Sequence, residues 1–250
     1  MNEPVNEPVN EPNQRTQNRT LNRSTALNAN LELKQQLVDC IRMLEQQEII
    51  DYNGHASILL EGGQMLINIG SCQRSRMTVH DICTINMEGQ VVGGQGKPPL
   101  EFHLHAGIYR ARPDVKAVVH AHPKWSTYLT MTGQAYAPVY AQGSLVYPVP
   151  VLDSPNSINN RVMADRLAAT LGDRPAALMK SHGAVTVGAN MLEAFVLANY
   201  MEENAHRQYM ALQIGKPYAF DAQELALCRE KLWSQALFQR AWDHFHAKLA

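Results

Sequence analysis

The chain has 250 residues, 45% of them apolar, and its 22 basic side chains nearly cancel 23 acidic ones, for a net charge of −1. That balance excludes a strongly basic nucleic-acid binder, and no apolar run reaches the roughly 18 residues of a membrane-spanning helix. The four cysteines are scattered without a CxxC pair, which excludes a disulfide frame or zinc knuckle and fits a reducing, cytoplasmic setting.

Residues 1–28 open with NEPV repeats and continue as a polar Gln/Asn/Arg/Thr stretch. Too little apolar surface is available there to offset the entropy of ordering, so a disordered tail is expected, followed by a single domain over 29–250. Leu33, Leu37, Ile41 and Leu44 recur at intervals of four, four and three, predicting an amphipathic helix over 31–50. Short strands are expected at 55–60, 64–70 and 82–87. Glu88-Gly89 then turns into a further strand at 90–93. Pro98-Pro99 precede a helix at 100–111, and Arg112-Pro113-Asp114 ends it. Val115–His120 reads as a buried strand, and a short helix follows Pro123. Further strands are expected near 145–151 and 176–187, with helices at 157–171, 190–213 and 221–248. Strands in hairpin-like groups between helices predict one α/β domain with a largely antiparallel sheet.

Ten histidines are the unusual count. His120 and His122 are two residues apart on a predicted strand, so period two turns both imidazoles to one face, where they can chelate one ion. Spacing alone also fits two ordinary histidines, but two imidazoles at the end of an apolar strand need partners, and a metal satisfies both. His182 follows the apolar run Ala176–Met179, with Gly183 free to turn tightly. Three histidines with open positions make a catalytic rather than a structural metal site. Glu101 falls in the first helical turn, where the helix dipole favours its carboxylate form. It is the acid–base candidate, against a plain capping role. His105 and Tyr109, four and eight residues further along that face, read as packing and supporting residues.

The words E-x3-H-x2-IY-x2-RPDV-x-AVVH-x-HP over Glu101–Pro123 and SHGAV-x-VG from Ser181 resemble the class II aldolase/adducin family. The resemblance implies a three-layer α/β/α sandwich with a central, mainly antiparallel sheet, and a homotetramer with sites near subunit interfaces. It implies a divalent ion on His120, His122 and His182, with Glu101 as acid and base. Zinc comes first for that ion, with iron, manganese and cobalt left open. The family's reactions make or break C–C bonds beside a carbonyl through an enolate.

Three polar words hold phosphate in the family's sugar-phosphate members. Here they read Gly54-His55-Ala56-Ser57, Asn68-Ile69-Gly70-Ser71 and Pro99-Leu100-Glu101. Pro99 has no N–H and Leu100 no hydroxyl, so the phosphate pocket is degraded. The replacement pocket offers His55, Ser71, Arg74 and Arg76. A guanidinium fork suits a carboxylate, although both arginines also fit as solvated loop charges and His55 as a bonded core residue. The words D-x-NGHAS, LIN-x-G-S and ENA-x-RQY look like the branch with decarboxylases of dihydroxyphthalates and carboxylated ring-cleavage products. The expectation is therefore a metal-dependent lyase, a decarboxylase acting on a small carboxylic acid. His206 and Tyr209 are expected to reach the site from the same or a neighbouring subunit, or to pack helices. An aldolase on an unphosphorylated hydroxy-oxo acid, a non-haem iron oxygenase and a binding module stay open as alternatives.

Overall fold

The computed structural model describes the backbone of residues 14–249 and the side chains of residues 28–249. The NEPV repeats lie outside the described residues. The later part of the expected tail is helical: α1 runs Gln14–Gln46 instead of starting near Leu31. Residues 13–53 contain neither proline nor glycine, so neither of the two strongest helix breakers interrupts this stretch. Full burial begins only at Leu37, where α1 meets the core with Val38, Ile41 and Leu44.

The strands are β1 (His55–Leu59), β2 (Met65–Asn68), β3 (Ile82–Ile85), β4 (Val91–Gly93), β5 (Ala117–Ala121), β6 (Val151–Leu152), β7 (Ala176–Met179) and β8 (Gly183–Gly188). They form one sheet in the order β4-β3-β2-β1-β5-β8-β7-β6, antiparallel throughout except for the β6–β7 pair. The helices after α1 are α2 (Phe102–Ala111), α3 (Lys124–Met131), α4 (Arg161–Leu171), α5 (Met191–Ile214), α6 (Ala222–Leu232) and α7 (Gln235–His246). Strand alternation sorts the core into two halves. Val118, Ala177 and Val185 pack with Leu104, Ile108 and Leu167 of α2 and α4. Ala56, Val119 and Leu178 pack on the other face with Ile41, Phe195 and Trp242 of α1, α5 and α7. The chain adopts the three-layer α/β/α sandwich with a mainly antiparallel sheet.

Three expected elements are divided or shortened. The run 176–187 is a hairpin whose turn, with Ser181 at φ 53°, carries His182. The strand expected at 145–151 shrinks to Val151–Leu152, because Pro148 and Pro150 lack the N–H a sheet interior needs. The helix expected over 221–248 breaks at Trp233-Ser234.

Two features aim the site. In the β1–β5 register His55 stands opposite His120, so both imidazoles share the α2 face. Glu202 of α5 accepts from the N–H groups of Trp125 (2.7 Å) and Ser126 (3.0 Å) and from the Ser126 hydroxyl (2.8 Å). That fixes the start of α3 directly after His122-Pro123.

Candidate metal centre and active site

Glu101, His120, His122 and His182 converge, each with one donor atom, and these atoms lie within 4.8 Å of one another. The second nitrogen of two imidazoles is already committed. His120 Nδ1 donates to the Ala184 carbonyl at 3.0 Å, and His122 Nδ1 faces Asp51 Oδ1 at 2.9 Å. A carbonyl oxygen only accepts, so neutral His120 presents a bare lone pair at Nε2. That atom is buried and has no partner among the described residues. An orphaned inward lone pair backed by an outward N–H is what a metal-ligating histidine requires. The residues fit a divalent ion.

His182 enters from the β7–β8 turn. Burial is the largest cause lowering its pKa, to about 4, which keeps it a neutral, ligand-competent imidazole at physiological pH. Gly183 makes room for this turn: a Cβ there would stand 2.3 Å from the Ala121 carbonyl and 2.9 Å from the His122 ring.

Glu101 occupies the N-cap position of α2, yet its side chain makes no capping bond. Its Oε1 accepts from Ile158 N–H at 2.6 Å. Its Oε2 lies 3.5 Å from His120 Nε2 and 3.8 Å from His55 Nε2, and Oε1 lies 3.8 Å from His182 Nε2. Burial opposes its ionisation, and hydrogen bonding and charge from the His120 and His55 imidazoles, where these carry a proton toward it, outweigh burial and bring the carboxyl below its ordinary range. An ionised carboxylate is thus held against the metal group.

A cleft of about 350 Å³ opens beside these groups, with His55, Arg74, Pro99, Leu100 and Glu101 in its wall. Arg74 is buried, its Nε donating to the Gly54 carbonyl at 2.8 Å and its Nη1 to the Cys72 carbonyl. Its Nη2 has no partner among the described residues, leaving one arm of the guanidinium for a ligand. The other expected binding residues divide. Ser71 and Arg76 are exposed and do not line the cleft, since the 3-10 turn Arg74–Arg76 turns one arginine inward and the other out. His206 and Tyr209 do not reach the metal group within this chain. His206 stacks on Trp125 with centroids 4.2 Å apart, and Tyr209 meets the same ring at 5.1 Å.

Asp51 was missed by sequence reasoning. Its Oδ1 accepts from Asn53 N–H (2.9 Å) and Gly54 N–H (3.0 Å) as well as facing His122. The signal is the Asp-x-Asn-Gly run, a local Asx turn. Burial opposes its ionisation, but the His122 hydrogen bond and the two backbone donors lower its pKa on balance. Asp51→Asn keeps the turn and removes the charge behind His122. It is expected to weaken metal affinity by roughly tenfold, read by competition with a chelator; an unchanged affinity would exclude this supporting role.

The profile of the Class II Aldolase and Adducin N-terminal domain matches residues 35–209. The chain belongs to that family. It is a lyase of the family. It is 27% identical over 208 residues to the 5-methylthioribulose-1-phosphate/5-deoxyribulose-1-phosphate aldolase of Rhodospirillum rubrum, covering 81% of this chain and 92% of that one. It is also 27% identical over 202 residues to the 3,4-dihydroxyphthalate decarboxylase of a Terrabacter species, covering 73% and 81%. Among solved structures, the L-fuculose 1-phosphate aldolase from Glaciozyma antarctica superposes with a TM-score of 0.78 at 22% identity, over 88% of this chain and 89% of that one. That likeness is one of fold. No helix among the described residues is long and apolar enough to cross a membrane.

Proposed function

We propose that this lyase is a decarboxylase of a hydroxylated carboxylic acid, with carboxylated aromatics as its substrate class and zinc as the first ion to test. One observation carries the reading: the cleft beside the histidines presents a buried guanidinium, while the glycine N–H groups in the two polar words ahead of it are already bonded. Gly54 N–H is spent on Asp51 and Gly70 N–H on the Lys97 carbonyl at 2.9 Å. Pro98 and Pro99 have no N–H at all. The wall ends in Leu100, 81% exposed at the rim, which suits a flat apolar body. A phosphate needs several donors, whereas a carboxylate can be held by the one free arm of Arg74, its Nη2.

A divalent ion on His120, His122 and His182 supplies Lewis-acid stabilisation of negative charge developing on oxygen. The chain's own groups do the rest. Arg74 anchors a carboxylate at the far end of the cleft. Glu101, ionised at rest, takes a proton from a substrate hydroxyl. The anionic oxygen feeds an electron pair through the ring to the carbon that bears the carboxylate, and that carbon takes the proton back from Glu101. The bond from that carbon to the carboxylate then breaks, CO₂ leaves, and the electron pair returns through the ring to the oxygen, which water protonates.

Metal-replete protein offered 3,4-dihydroxyphthalate is expected to release CO₂, and chelator-stripped protein none. Arg74→Met is expected to raise KM about tenfold or more with metal content unchanged. Cleavage to an aldehyde without CO₂ would replace this reading with the aldolase on an unphosphorylated hydroxy-oxo acid, which needs the same proton transfers.

A further inference from the structure

The chemistry above leaves unused a buried row of polar groups behind His55. His55 Nδ1 and His105 Nε2 are 2.6 Å apart. His105 Nδ1 and Ser57 Oγ are 2.6 Å apart, and Ser57 Oγ and the Tyr109 hydroxyl 2.7 Å. Tyr109 also reaches the Ser57 carbonyl at 3.0 Å. All four side chains are buried. His55 Nε2, at the open end of the row, has no partner among the described residues, and its residue lines the cleft with Arg74 and Glu101.

Each link holds one hydrogen, so the row runs in one of two directions. The carbonyl end discriminates between them, because it only accepts. With Tyr109 donating to the Ser57 carbonyl, the tyrosine oxygen accepts from Ser57, and Ser57 accepts from His105 Nδ1–H. His105 Nε2 then accepts from His55 Nδ1–H. All four contacts are hydrogen bonds, and His55 Nε2 is left with a lone pair. In the opposite direction Tyr109 donates to Ser57 Oγ and the carbonyl contact is forfeited. His55 Nε2 then carries an N–H whose carboxylate neighbour, Glu101 Oε2, stands at 3.8 Å, beyond hydrogen-bond reach. Either direction leaves His55 Nε2 unpaired, but the second has one bond fewer, the one to the Ser57 carbonyl, so the first prevails.

We propose that His55 Nε2 accepts a hydroxyl hydrogen of the substrate, and that Tyr109, acting through Ser57 and His105, is the positioning residue that keeps it an acceptor. This rests on the reading that the cleft takes a hydroxylated acid. An ether, phosphate or carboxylate oxygen at that place meets a lone pair, whereas a hydroxyl gains a bond. The substrate class narrows to acids bearing a further O–H beside the chelating oxygens, of which vicinal dihydroxy aromatic acids are the simplest.

The test pairs two readouts on zinc-loaded protein. Nitrogen NMR of histidine-labelled protein, with His55 assigned through His55→Gln, is expected to show Nδ1 protonated and Nε2 bare. Tyr109→Phe removes the oxygen that takes the Ser57 hydrogen. That hydrogen then turns to His105 Nδ1, His105 donates from Nε2, and His55 flips to the Nε2–H form. The binding probes are 2,3-dihydroxybenzoate and 2-hydroxy-3-methoxybenzoate, in which a methyl group replaces the donor hydrogen; the His55 variants separate its bulk from the lost bond. Wild-type protein is expected to prefer the first by about tenfold or more. The preference should vanish in Tyr109→Phe and His55→Leu, and survive in part in His55→Gln, whose amide oxygen still accepts. A wild-type Nε2–H tautomer, or a preference that persists in His55→Leu, overturns the proposal even if Tyr109→Phe does not fold. Neither readout needs turnover: with both as expected and no CO₂ released, the decarboxylase reading alone is lost.

Discussion

His120→Ala is expected to abolish bound metal and turnover together while the sheet still forms. His120 is fully buried in the middle of the site. Its Nδ1 is held by the Ala184 carbonyl and its Nε2 is aimed, without a partner, at the other donors. Removing it leaves two histidines and a carboxylate where three histidines and a carboxylate stood. The loss exceeds the roughly 10–100-fold that removal of an outer partner such as Asp51 costs in metal affinity, and turnover should fall by at least about a thousandfold. The deleted imidazole also opens a cavity and leaves a carbonyl contact unmade, at about 2–3 kcal/mol. Measured stability therefore has to be compared metal-free in both proteins. Wild-type protein should melt higher as zinc is added, because the ion binds only the folded state, and the variant should show no such rise. Metal content by elemental analysis, the zinc dependence of melting and CO₂ release give three independent readings. A variant with wild-type turnover would end the metal-based account.

The parts of this site that could be read from the chain are those that local periodicity controls. His120 and His122 follow from a two-residue step on a strand. Glu101 follows from Pro98-Pro99 ahead of a helix. The largely antiparallel sheet follows from strands grouped as hairpins, and the three-layer sandwich from the resemblance to the family. Where a contact joins distant segments through a turn, periodicity is silent. Asp51 supports His122 from a loop 71 positions away, and Glu202 caps α3 from 76 away. Arg74 and Arg76 look alike in sequence, and only the sense of one 3-10 turn sends the first inward. His206 and Tyr209 have the right chemistry for a site, but Trp125 and the start of α3 bring an aromatic surface to that face of α5, and they pack on it. His105 and Tyr109 were legible as supporting residues from their four-residue spacing. Their partner Ser57 was not, since it comes from β1 on the opposite side of the contact.

Glu101→Gln separates the acid–base role from metal binding, because it keeps the side chain's shape and one acceptor oxygen while removing the titratable group. A glutamine oxygen can still accept from Ile158 N–H, so the start of α2 and the loop before α4 stay tied together. The three imidazoles are untouched, and the variant is expected to bind zinc within several-fold of wild type. The amide neither takes a proton from a hydroxyl nor returns one to carbon. Turnover should therefore fall by about 10²–10⁴-fold, the span of general acid–base catalysis, with KM little changed. The pH profile adds a second signature. Wild-type Glu101 is ionised across the neutral range because its carboxyl titrates well below its ordinary position. A depressed carboxyl pKa makes the base form present above that pKa and lost only as pH falls through it. The acid limb of wild-type kcat should therefore not show a carboxylate step near pH 4–5, and Glu101→Gln should lower the plateau without moving the alkaline limb. If instead the variant lost zinc in parallel with activity, Glu101 would be a fourth ligand of the resting site and the proton would have to travel by another group. If zinc stayed bound and turnover fell less than about tenfold, the carboxylate would serve only to orient the substrate.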